Sequence, residues 1–192
     1  MLLVALIVVP LIGAVVACLI RSRSINIPFI TSAVVLIMGV FGLKGVFAGL
    51  PFTYSIPLSG PFAPTFRVDA LSAVFVILAA FLWLVVSIYS PDYMEQEGKG
   101  KGFDISTLAT LSAVLGIFLA GDLFTMLLFF EMMTVASYFW VVHRWNHEAV
   151  RAGYFYLFFG IIGGLFLALG MVLMSEAVDF LPAIGSGAVV PF

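Results

Sequence analysis

The chain has 192 residues, of which 64% are hydrophobic and only 9% charged, with a formal net charge of −2. An ordinary soluble domain carries about 25% charged residues, so this composition belongs in a membrane, and the mild acidity argues against a nucleic-acid partner. A single cysteine, Cys18, excludes an internal disulfide framework and a multi-cysteine metal site.

Residues 1–20 are an apolar run of spanning length, closed by Arg21 and Arg23. The stretch before Cys18, AVVAC, resembles a lipoprotein cleavage site. No basic residue precedes the apolar run, however, and the arginines trail it, so a retained span is the better reading. A second span covers about 27–49, with Pro28 at a favourable helix start and Lys44 near the far end, where it can snorkel to the interface. Residues 51–66 hold Pro51, Pro57, Pro61 and Pro64, and are expected to form a loop with little helix. The third span is predicted over 68–90, stopped by Pro91 and Asp92. Residues 92–103 are the strongly polar linker. A fourth span follows over 104–120, Gly121 and Asp122 reverse the chain, and a fifth runs over 123–142. The basic loop HRWNHEAVR leads to the sixth span, 152–174, and residues 175–192 are read as an outer tail too short and broken to span again.

The predicted fold is therefore all-α, a single membrane domain of six transmembrane helices, multi-pass in the cell (inner) membrane. Arg21, Arg23, Lys99, Lys101, Arg144 and Arg151 fall in loops on one side, against Lys44 and Arg67 on the other. The positive-inside bias puts both termini on the outer face.

Glu131 stands near the middle of the fifth span, in GDLFTMLLFFEMMTVASYFWVVHRWNH. At a rise of ~1.5 Å per residue it lies roughly 13 Å along the axis from Asp122, inside a hydrocarbon layer about 30 Å thick. A carboxylate at that depth costs on the order of 2.5–3.5 kcal/mol on insertion scales, so such groups face a bundle interior and mark ion or proton paths. Burial disfavours the charged form and a nearby cation favours it, so an acid balanced between the two can take up and release a proton. Thr134 and Tyr138 share its helical face, with Ser137 alongside, making a polar track toward the basic loop. The competing reading is a protonated glutamate hydrogen-bonded across helices purely for packing.

Other polar residues carry less. Asp69 and Asp122 open helices, where a carboxylate is favoured by the helix dipole. Asp122 is also a candidate outer mouth of the path. His143 and His147 are four apart, but the second histidine of H-E-x-x-H is replaced by Arg151, so no metal site is expected. The two histidines are candidate inner path ends, although a contact surface is the commoner use of such a loop. Gly160 and Gly164 make a G-x-x-x-G pair, read as a packing signal without chemistry. No flavin, haem or iron–sulfur ligation pattern is present, so no cofactor is expected and any coupled redox chemistry belongs to other subunits.

The stretch FRVDALSAVFVILAAFLWLVVSIYSPDYM resembles the third span of the antiporter-like subunits of complex I-type machines. LSAVLGIFLAGDLFTMLLFFEMMTVASYFWVV resembles their fourth and fifth spans, closest to the D-type subunit of Mrp cation/proton antiporters and its relatives in membrane-bound hydrogenases. The resemblance covers about residues 66–172. It implies that Glu131 is the fifth-span glutamate of an ion path, paired in the family with a lysine on a broken seventh helix. This chain holds neither that helix nor a complete inverted repeat. The resemblance thus implies partner membrane subunits in a large hetero-oligomeric complex, one of them supplying the missing antiporter helices and lysine, with lipid around the whole. A natural short subunit, a diverged accessory copy and a fragment are the accounts left open, and the tail's reading as a loop favours the first two. The expected function is a membrane-arm subunit taking part in proton or sodium translocation. The alternatives are a structural subunit with no ion path of its own, and a self-contained transporter completed by homo-oligomerisation.

Overall fold

The computed structural model describes residues 1–20, 26–47, 52–55, 64–97 and 100–185. Arg21, Arg23, Lys99, Pro51, Pro57, Pro61 and residues 186–192 of the tail lie outside the described residues.

Seven helices and one β-hairpin are present among the described residues: α1 (Leu2–Leu19), α2 (Ile27–Gly42), α3 (Lys44–Phe47), β1 (Phe52–Ser55), β2 (Thr65–Val68), α4 (Ala70–Glu97), α5 (Gly100–Phe118), α6 (Leu123–Val141) and α7 (His147–Gly185). Helix α3 continues α2 past Leu43, so the two make one crossing. Five crossings are long and strongly apolar, and α5 is a shorter apolar helix beside them. The six expected spans are therefore all helical.

Helix α5 is the central element, packed against α1, α4 and α6. Leu108, Leu111 and Leu115 are fully buried on it, as is Leu119 just past its end; Ser112 is fully buried too and, nearly so, Ser106, Thr107 and Thr110. A helix surrounded by protein can carry hydroxyls that a lipid-facing helix cannot, provided each finds a partner. Ser106 Oγ donates to the Gly102 carbonyl at 3.0 Å, Thr110 Oγ1 to Ser106 at 2.7 Å, and Ser112 Oγ crosses to the Ile7 carbonyl of α1 at 2.7 Å. Two indoles clamp the same helix. Trp83 Nε1 of α4 donates to the Thr107 carbonyl (2.9 Å) and Trp140 Nε1 of α6 to Thr107 Oγ1 (3.1 Å).

Helix starts follow their caps. Asn26 accepts from Phe29 N ahead of Pro28, as expected for a proline-led start. Asp69 and Ser72 bond reciprocally, Ser72 N to Asp69 Oδ1 at 2.9 Å and Asp69 N to Ser72 Oγ at 2.8 Å, a capping box at the head of α4. The bonds that Ser72 N and Ser72 Oγ donate to Asp69 Oδ1 hold the exposed Asp69 carboxyl below its ordinary range. Lys44 lies over the Phe41 ring at 4.4 Å, with its charge at the helix end.

Four expectations need correction. Pro91 does not stop the third span; α4 runs through it to Glu97. Proline removes the N–H that would bond the Ser87 carbonyl, and Asn26 Nδ2 donates to that carbonyl at 2.7 Å instead. The polar linker is correspondingly shorter, because α4 and α5 extend into it. The region 51–66 contains strands. β1 and β2 pair antiparallel in the register Phe52↔Val68 to Ser55↔Thr65, and Phe66 also bridges to Ala120. At the other end α7 begins at His147, inside the expected basic loop, and continues to Gly185, well into the expected tail. Asn146 caps it, accepting from Ala149 N at 2.7 Å, and Trp145 turns the chain with a left-handed φ of 52°.

Candidate functional site in the seam between α6 and α7

Helix α6 starts where β2 meets the α5–α6 reversal. Gly121 N donates to the Thr65 carbonyl at 2.8 Å, and Arg67 N to Leu119 at 2.8 Å. Asp122 is the cap: Oδ1 accepts from Thr125 N at 2.7 Å, and Oδ2 from Thr125 Oγ1 at 2.6 Å, Thr65 N at 3.0 Å and Thr65 Oγ1. Burial pushes this carboxyl up, but the bonds from Thr125 and Thr65 outweigh it and hold it below the ordinary range. Four donors occupy Asp122, so the geometry makes it a clasp between hairpin and helix.

Glu131 lies in the middle of α6, half-buried within this chain. Its carboxyl group points at α7: a Cβ built on Gly164 would overlap Oε1 and lie 2.8 Å from Cδ. One turn on, a Cβ on Gly160 would overlap the Thr134 methyl, with Oγ1 at 3.5 Å. Further along, a Cβ on Gly153 would lie 2.7 Å from Tyr138 Cε2 and would overlap Val142. Glu131, Thr134 and Tyr138 thus share one seam with the glycine face of α7. The G-x-x-x-G pair is a packing feature, as expected, but what it packs on is the acid and its polar neighbour.

The hydroxyls are only partly connected. Thr134 Oγ1 donates along its own helix to the Phe130 carbonyl (3.1 Å), a common place for a buried helical hydroxyl. Ser137 Oγ lies 2.6 Å from the Met133 carbonyl and 2.6 Å from Tyr156 Oη on α7. The Tyr138 ring packs on Gly153 and edge-on to Phe139, with centroids 5.5 Å apart. Tyr156, rather than Tyr138, therefore brings a phenol to Ser137. The sequence signal for Tyr156 and Gly164 lay in their shared α7 spacing with Gly160, which becomes informative only once α7 is known to face α6.

His143 closes the other end of α6. Its Nδ1 is 2.6 Å from the Trp140 carbonyl, Phe103 meets the ring edge-on at 6.5 Å, and Nε2 is buried without a hydrogen-bond partner. His147 is exposed at the start of α7. Among the described residues no three His, Cys, Asp or Glu side chains come together as a metal cluster.

Comparisons with known proteins cover most of the chain. The family described as NADH-ubiquinone oxidoreductase (complex I), chain 5 N-terminus, matches residues 59–103. That described as NADH:quinone oxidoreductase/Mrp antiporter, TM, matches residues 120–181. Hydrogenase-4 component B of Escherichia coli (strain K12) is 32% identical over 65% of this chain and 20% of its own length. The D-type subunit of the Na(+)/H(+) antiporter of Bacillus subtilis (strain 168) is 25% identical over 86% of this chain and 34% of its own length. The chain thus spans between a fifth and about a third of these relatives. A chain in the structure of the membrane-bound sulfane sulfur reductase, an archaeal respiratory membrane complex, superposes with a TM-score of 0.78 at 21% identity, over 92% of this chain and 37% of that one. With six apolar helices in this arrangement, and both matched stretches falling in consecutive order along it, the chain is a multi-pass membrane protein belonging to the antiporter-like membrane subunits of the complex I, Mrp antiporter and membrane-bound hydrogenase family.

Proposed function

We propose that this chain is a membrane-arm subunit of an ion-translocating complex, and that Glu131 belongs to the path of a proton or sodium ion. The observation that carries this reading is the placement of a carboxyl group mid-way along a membrane helix, half-buried at a helix–helix seam. An ionisable group there is costly and is retained where it moves charge. Thr134, Ser137 and Tyr138 are the neighbouring polar residues on α6, Tyr156 joins them from α7, and His143 is the titratable group at the inner end. Asp122 acts as a clasp. Other membrane subunits, one of them carrying a cation to pair with Glu131, complete the path.

Glu131→Gln removes the charge while keeping shape and hydrogen bonding. In the complex isolated in native membranes, coupled translocation should be abolished with assembly intact on native gels. Normal translocation by an assembled Glu131→Gln complex would sink the ion-path reading and leave the structural-subunit reading in its place. Mild-detergent purification of the tagged chain, with co-purifying subunits identified by mass spectrometry, tests the partnership. A chain purifying alone as a homo-oligomer would overturn it.

A further inference from the structure

Glu131 rests against bare backbone. Any side chain at position 164 would occupy the volume that its carboxyl group now holds. The register that brings the two together is set by independent contacts along the same seam: Ser137 with Tyr156 at 2.6 Å, Gly160 beneath Thr134, and Gly153 beneath Tyr138. Helix α7 packs on α6 and has no comparable partner elsewhere among the described residues. Among the described residues, then, the glycine face and the Ser137–Tyr156 contact set how closely the α7 backbone approaches the acid.

We propose that Gly164 is a positioning residue for Glu131: its missing Cβ fixes where the carboxyl group lies in the α6–α7 seam, and so the direction in which it exchanges a proton or meets a cation. The inference rests on the ion-path role of Glu131. It is distinct from helix packing in general, because Gly160 of the same face meets the methyl and hydroxyl of Thr134. A methyl added at 160 crowds a neutral side chain, whereas a methyl added at 164 has to displace the ionisable one. Shortening the acid by one methylene, in Glu131→Asp, returns the room that Gly164→Ala takes away.

The test compares Gly164→Ala, Gly160→Ala and the double variant Gly164→Ala/Glu131→Asp, each in the full complex in native membranes. Dicyclohexylcarbodiimide, which adds covalently to carboxyl groups in apolar surroundings, is the probe; mass spectrometry of the α6 peptide reads modification at position 131, and native gels read assembly. Gly164→Ala should change the labelling rate of Glu131 several-fold and lower translocation, while Gly160→Ala at equal assembly leaves the labelling rate unchanged. The double variant should assemble better than the sum of its single changes allows. Unchanged labelling and translocation in Gly164→Ala overturn the proposal. If Gly164→Ala fails to assemble, the double variant decides: recovered assembly supports the seat for the acid, and no recovery overturns it. Normal transport by Glu131→Gln, together with shifted labelling in Gly164→Ala, would remove the ion-path reading and leave the seat standing.

Discussion

Asp122 satisfies the first turn of α6 and the end of β2 at once, so its loss is felt by two elements. Asp122→Ala should destabilise the purified chain by about 1–2 kcal/mol, the range for a lost helix cap, read as a lowered thermal midpoint in detergent. Thr65→Val should be less than additive with it, since both remove the bond from the Thr65 hydroxyl to the Asp122 carboxylate. Its pH dependence has a definite sign. The folded carboxyl titrates below the ordinary value of 3.8, so its stabilisation is fully present above that value and is lost as pH falls through the lower folded one. Asp122→Asn should flatten that acid limb; an unchanged acid profile would show that other groups govern it. Ser137 and Tyr156 give a second residue-scale test. Tyr156→Phe deletes one hydroxyl from the seam and should cost about 1 kcal/mol, with Ser137→Ala adding little beyond it in a double-mutant cycle.

At the scale of elements, the continuity of α4 depends on a residue outside it. Pro91 leaves the Ser87 carbonyl without its helical donor, and the Asn26 side chain supplies one from the head of α2. Asn26→Ser keeps an oxygen for the cap but loses the reach to Ser87, so it should cost on the order of 1–3 kcal/mol as a buried acceptor goes unpaired. Pro91→Ala in that background restores an N–H to the helix and should recover much of the loss; strictly additive effects on unfolding would refute the link. The same logic of supplied partners explains α5. Its buried hydroxyls each have a partner: Ser106 and Thr110 donate to carbonyls of α5 itself, while the central position gives Ser112 the Ile7 carbonyl of α1 and Thr107 Oγ1 the Trp140 indole of α6.

For the whole molecule, the charge distribution sets an expected orientation with the α6–α7 turn inside and the hairpin outside. Glu148, in the first turn of α7, and Thr53, in β1, are both exposed. In a Cys18→Ser background, a membrane-impermeant maleimide added to intact cells should label the Thr53→Cys variant and spare Glu148→Cys until the membrane is opened. The reverse pattern would invert the topology. The outer face of α7 presents Phe155, Phe158, Phe159, Leu165 and Phe166 to its surroundings, as a helix does when it meets lipid or neighbouring subunits rather than water.

The class, the six crossings, the helix-opening roles of Pro28, Asp69 and Asp122, and the mid-helix position of Glu131 were all legible in the amino-acid order. Each depends on local composition or on spacing along one helix, where hydropathy and capping chemistry act over a few residues. What Glu131 faces was not legible there. Nor was it legible that Tyr156 rather than Tyr138 reaches Ser137, that Asn26 carries α4 through Pro91, or that β1 and β2 pair as a hairpin against the α5–α6 turn. Those are contacts between segments far apart in the chain, which folding alone brings together. A glycine face reads the same in sequence whether it packs on a methyl or on a carboxyl group, because what distinguishes the two lies on the opposing helix.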